Sequence, residues 1–143
     1  MNKTSNRPSV NFLIISSIAL LWNIMGAFAY FGQMFMSHKV LSSLPKPEQD
    51  YFINMPIWVT VSFAAAVFSG LFGAISLLLK KKHAVYLFLI SIILILAHQY
   101  YIFFIQDHIK VEGLELILPL TTIIFGLYLL WFSIKMNKKG VLN

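Results

Sequence analysis

Asn23, Tyr30, Gln33, His98, Gln99, Thr121 and Thr122 lie within long apolar runs of this 143-residue chain. These runs hold no Lys or Arg, and Glu115, at the rim of the last, is their one acid. Amides, hydroxyls, a phenol and an imidazole in such surroundings suit a neutral hydroxylated ligand. A sugar needs hydrogen bonds and aromatic faces, and has no charge to be matched. His98 is the one ionisable group other than tyrosine deep within a run. Ionisable residues at such depth mark functional sites by default, and an imidazole can relay protons near neutral pH. The plainer reading is that these groups bond one another and hold helices together, at about 0.6 kcal/mol per bond. Four short helices also enclose little space beside a ligand pocket of about 300 Å³.

Other chemistries lack their parts. The chain has no cysteine, which removes disulfides, iron–sulfur clusters and thiol catalysis. His38, Asp107, His108, Glu112 and Glu115 match no metal-ligand spacing, so no metal is expected. No carboxylate pair, Ser/His/Asp set or phosphate loop is present, so an enzyme is not expected, nor is a cofactor. The net charge of +6 is not arranged as a nucleic-acid surface.

Charge instead reports topology. The acids fall in two stretches: Glu48 with Asp50, and Asp107 with Glu112 and Glu115. Lys3, Arg7, Lys80, Lys81, Lys82, Lys135, Lys138 and Lys139 occupy the alternate polar segments, with no acid beside them. Hydrophobic residues make up 59% of the chain, and its mean hydropathy is +0.79. The apolar runs are 10–34, 57–79, 84–105 and 114–134. Each reaches about 20 residues, enough to cross about 30 Å of hydrocarbon as a helix. The expected fold is all-α: four antiparallel transmembrane helices in one domain, 1–143, contacting the lipid bilayer. The positive-inside rule puts both ends and the Lys80–Lys82 turn in the cytoplasm. Ala27-Phe28-Ala29 imitates a signal-peptide cleavage site, but the run continues through Tyr30 and Phe31 and reads as an uncleaved span.

The short linkers make neighbouring spans antiparallel hairpins. The sizeable loop is 37–56, where Pro47 could start a short helix through Phe52. Counting depth at the helical rise puts Asn23, Ser62, His98, Gln99, Thr121 and Thr122 in one layer of the outer half, bordered by Tyr30, Tyr100 and Tyr101. Pro119 is expected to bend the fourth span near its outer end. In the second span Ser62, Ala66, Gly70 and Ala74 recur at i+4, widened by Ser69 and Gly73. Such a small-residue stripe admits another helix, either inside the chain or across a homodimer.

Several motifs together resemble a family of small bacterial four-span membrane proteins labelled sugar transporters. They are Trp22-Asn23-x-x-Gly26 with Tyr30 and Gln33, then Pro56-x-Trp58, then Gly70-x-x-Gly73 followed by Leu77 to Lys81. Pro119 and the Tyr128–Phe132 stretch complete them. The resemblance covers nearly the whole chain. It implies a transporter of a neutral solute such as a sugar, in a bacterial cytoplasmic membrane. The alternative is an accessory protein that binds a larger membrane partner through the stripe or the external loop.

Overall fold

A computed structural model describes residues 8–143. Lys3 and Arg7 lie outside them. The helices are α1 (Val10–Met34), α2 (His38–Ser43), α3 (Lys46–Ile53), α4 (Ile57–Leu78), α5 (His83–Tyr100) and α6 (Ile117–Lys138). Ser9 caps α1 by accepting the Phe12 amide at 3.2 Å, and Ser37 caps α2 through Val40 at 3.3 Å. α5 continues into a wide π-helical turn, Tyr101–Ile105, and a 3-10 turn, Gly113–Leu116, leads into α6. Among the described residues there is no strand.

Val10–Met34, Ile57–Leu78, His83–Ile105 and Gly113–Lys138 are long and apolar enough to cross a bilayer. Their outward faces carry Leu21, Phe28, Ile93 and Ile124, all exposed. Soluble proteins rarely show contiguous apolar surface on this scale. The chain is a multi-pass membrane protein, and these faces meet lipid.

Packing is sequential. α4 and α5 share the broadest interface, α1 lies on α4, and α6 lies on α5. α1 and α6 are not among the closely packed pairs; aromatic side chains bridge them instead. Trp22 meets Phe125 edge-on at 5.1 Å, and Phe12 stacks with Phe132 at 6.1 Å. Both bridges lie from mid-bundle toward the end that carries Lys80–Lys82. That end is the lysine end; the other, with α2 and α3, is the loop end.

The small-residue stripe is consumed inside the chain. Ala66, Gly70, Gly73 and Ala74 are buried, while Ser62 is half-buried. A Cβ at Gly70 would collide with the amide oxygen of Asn23 on α1 and lie 3.0 Å from the Ser91 hydroxyl on α5. At Gly73 it would lie 3.1 Å from the Phe88 ring. Glycine lets three backbones converge here, as small residues do in lipid.

Pro119 does not bend a running helix. It falls in the first turn of α6, where backbone N–H groups have no intrahelical acceptor and its missing donor costs nothing. The helix starts at Ile117 because of this, after the 3-10 turn.

Both ends of the bundle are finished by unexpected contacts. At the loop end α3 has Pro47 in its first turn and turns Tyr51 inward, buried against Tyr101 at 6.3 Å. Val59, Phe52, Met55 and Ile102 complete this second core. Gln106 fastens the chain after the π turn: Nε2 donates to the Ile102 and Ile109 carbonyls at 2.9 and 2.7 Å, and Oε1 accepts the Ile109 amide at 3.0 Å. At the lysine end Lys80 holds φ +55° after α4, with its amide on Leu77 and that of Lys81 on Ser76, a Schellman close. Gly140 closes α6 the same way at φ +70°. The tail then pairs with the turn: Asn143 donates to Lys80, and Lys82 donates to Asn143 at 3.1 Å. Leu142 enters the main core at 1% exposure.

Burial pushes the Tyr51 phenol up to about 12 from 10.0, with Tyr101 adding to the rise. A raised pKa means the neutral phenol is the form the fold stabilises. Docking of α3 therefore keeps its full strength below pH 10 and loses it as the pH rises toward 12. Alkaline titration followed by tyrosinate absorbance should show this late step, and Tyr51→Phe should remove it.

Candidate functional site

Two adjoining cavities lie in the loop-side half of the bundle. The smaller, about 210 Å³, sits among α4, α5 and α6. Its walls include Phe63 and Ala66 from α4, then Ile95, His98, Gln99 and Ile102 from α5, and Leu118, Pro119 and Thr122 from α6. The larger, about 330 Å³, adds Trp22, Asn23, Met25, Gly26 and Ala29 of α1, and Val67 and Ser91 below. Phe63, Ala66, Ile95, Leu118 and Thr122 line both. The larger space exists because α1 and α6 part above the Trp22–Phe125 bridge. Met25 and Leu118, on its two rims, are 62% and 68% exposed.

Helical spacing explains the lining of the chamber. Ile95, His98, Gln99 and Ile102 recur at i+3, i+4 and i+7 on α5, and Leu118 and Thr122 at i+4 on α6. No Asp, Glu, Lys or Arg lines either cavity. The His98 imidazole is fixed by stacking on the Phe63 ring, centroids 4.9 Å apart and planes 22° from parallel.

The polar groups do not bond one another. Asn23 Nδ2 donates to the Ala19 carbonyl at 2.8 Å, and Thr122 Oγ1 donates to Leu118 at 2.8 Å, each within its own helix. Ser91 Oγ crosses from α5 to donate to Ala66 of α4 at 2.8 Å. Gln99 is different. It is 8% exposed, and its Oε1 is buried with no hydrogen-bond partner. Such a group carries a desolvation cost of about 1–3 kcal/mol. Gln99→Leu, of similar volume, should therefore raise thermal stability in detergent by about 1 kcal/mol or more. It should at the same time remove the polar group from the chamber. Calorimetric or fluorescence melting of the two proteins checks this.

His98, Gln99 and Thr122 are thus gathered round the smaller chamber, and Asn23 joins Thr122 at the larger one. The others stand apart. Tyr30 packs edge-on against Phe63 and Phe68, both at 5.7 Å, and lines neither cavity. Gln33 Nε2 points to Met55 Sδ at 3.5 Å, in the loop-end core. Thr121 faces outward, exposed. Its position follows from the helix: a residue next to an inward Thr122 is turned by about 100°. Ser91, Phe63, Ile95 and Leu118 were not singled out from sequence. Ser91 lies about two turns into an apolar run, and nothing in its neighbours separates it from a lipid-facing serine.

Among the described residues no three His, Asp or Glu side chains come together as a metal site would require. Comparison with protein-family models, curated proteins and solved structures finds no match to this chain.

Proposed function

We propose that the protein binds a neutral solute in the chamber beside Gln99 and passes it across the bilayer. The observation that carries this reading is Gln99 itself: a buried residue, its Oε1 without a hydrogen-bond partner, at the wall of a cavity without charged lining. A polar group left unpaired there is repaid when a ligand supplies the missing bond. His98 offers a second polar contact and an aromatic face. The uncharged lining favours a solute without net charge, in keeping with the resemblance to small bacterial proteins labelled sugar transporters. Ser91 and Thr122 already donate to backbone carbonyls, which leaves Gln99 and His98 as the main groups to hold a solute hydroxyl.

In this reading the protein is not an enzyme and sits in a bacterial cytoplasmic membrane, its lysine end inward. Transport across the bilayer needs an oligomer, because one chain shows no repeated half whose interface could alternate. The accessory-protein alternative is left with the external loop as its docking surface, since α1 and α5 already occupy the stripe.

The test is solute equilibration in proteoliposomes, with glucose as the first probe. Wild type should accelerate it, and Gln99→Leu and His98→Ala should slow it by about tenfold, the factor of a lost contact worth about 1.4 kcal/mol. Equal rates in all three proteins would remove the site. Orientation is read separately, by labelling a cysteine placed at Lys81 from one side of the membrane.

A further inference from the structure

The smaller chamber has three boundaries and one opening. At the loop end Ile102 belongs both to its wall and to the core roofed by Tyr51, Phe52 and Met55. At the lysine side the Trp22–Phe125 pair ties α1 to α6. α4 and α5 form the floor, in their broadest interface. The open side is the gap between α1 and α6, where the larger cavity continues the chamber through shared walls. Met25 and Leu118 flank this gap, and both are exposed among the described residues. In a membrane that gap faces hydrocarbon, not water.

We propose that the chamber takes its ligand from the bilayer, through the α1–α6 gap, and that the ligand is a neutral lipid bearing a hydroxyl. This rests on the reading of the Gln99 chamber as a solute site and names the solute's class. The chemistry runs from wall to head. The groove is lined by Met25, Gly26, Ala29, Val67 and Leu118, which suit an apolar chain. Of its polar members, Ser91 and Thr122 donate their hydroxyls to backbone carbonyls, and Asn23 gives one of its two amide N–H groups to Ala19. Gln99 and His98 stand at the chamber end. A hydroxyl both donates and accepts, so it pairs with the Gln99 amide whichever end of it faces the chamber. No charged side chain lines the path, so an ionised head such as a carboxylate or phosphate would be left unpaired at a cost of several kcal/mol. A monoacylglycerol or a long-chain alcohol meets all of these conditions; a phospholipid does not.

Trp22 lines the groove and reports on it. In a Trp58→Phe, Trp131→Phe background it is the remaining tryptophan. The protein is reconstituted in phosphatidylcholine vesicles containing a small mole fraction of a chain-brominated monoacylglycerol, a contact quencher. Matched vesicles carry the same bromine on phosphatidylcholine. The monoacylglycerol should quench Trp22 about fivefold more strongly per bromine, the factor that one net hydrogen bond supplies. Gln99→Leu should bring it down to the phosphatidylcholine level. Gly26→Leu should do the same by filling the groove, since a Cβ there meets only Val67, at 3.9 Å. Ala29→Phe is a second plug, and circular dichroism verifies helix content in each. Equal quenching by the two probes in the unplugged protein overturns the proposal: ordinary bilayer lipid then fills the gap. Selective quenching that both plugs leave intact also overturns it, because the lipid then arrives by another route. Glucose equilibration without selective quenching removes this inference and leaves the transport reading. Selective quenching without glucose equilibration keeps this inference and removes sugar as the solute.

Discussion

Gly70→Leu should expel α1 from the bundle. A single Cβ at this position already collides with the Asn23 amide oxygen and approaches Ser91 Oγ to 3.0 Å, so a full side chain has nowhere to go. Overpacking of a well-filled site costs about 1–3 kcal/mol, and more where backbones must separate. Melting in detergent should fall by roughly 10 °C, taking about 3 °C per kcal/mol for a chain of this size. Gly70→Ala is milder and more informative. Asn23 can turn aside, but only by giving up its bond to Ala19. Adding Asn23→Ala should then recover part of the loss, an interaction energy of about 1 kcal/mol in a double-mutant cycle. Gly32→Ala is the control, because nothing lies within 4 Å of a Cβ there. It should leave the melting temperature unchanged or raise it slightly, as alanine favours helix. Equal losses at positions 70 and 32 would mean that convergence of α1, α4 and α5 is not what glycine serves.

Leu142→Ala should cost about 2–4 kcal/mol, although the residue lies beyond the last helix. Its side chain is 1% exposed and joins Phe12, Leu77 and Phe132 in the main core. Loss of that anchor frees the tail, and with it the two backbone bonds between Asn143 and the Lys80–Lys82 turn. Two measurements separate this from general loosening. Amide exchange at Lys82 should rise by about tenfold or more, while amides at the loop end, Ile109 among them, should keep their protection. Leu142→Met preserves volume and should cost under about 1.5 kcal/mol. Unchanged exchange at Lys82 in Leu142→Ala would show that the tail does not hold the turn.

The four spans were legible because lipid leaves a chain few choices. A run such as Ile57–Leu79, apolar but for one threonine and three serines and free of charge, must satisfy its own backbone and so becomes a helix. The stripe through Ala66, Gly70 and Ala74 was equally plain as a surface for close approach. Which helices it meets was not, since spacing alone does not choose between α1 with α5 and another chain. The layer of polar residues was half legible. Depth follows from the rise per residue, so Asn23, His98, Gln99 and Thr122 come out at similar heights. Rotation about the helix axis does not follow, because α6 is apolar nearly all round. Thr121 and Thr122 could not be told apart on that helix. The parting of α1 from α6, which makes the cavities, arises from the bulk of Trp22 and Phe125 meeting across the gap, a long-range contact without a local signature. The tail clasp was hidden for a similar reason: Val141-Leu142-Asn143 is too short to show any periodicity.

Lys80 occupies the left-handed position that closes α4, a place where glycine would relax the backbone by about 1 kcal/mol. A lysine near a membrane surface rich in anionic lipid gains about as much from that surface. The two quantities nearly cancel, so with the lysine end at such a surface the charge offsets the cost of the geometry. It follows that Lys80→Gly should yield a sturdier protein in neutral detergent and a less uniformly inserted one in an acidic bilayer.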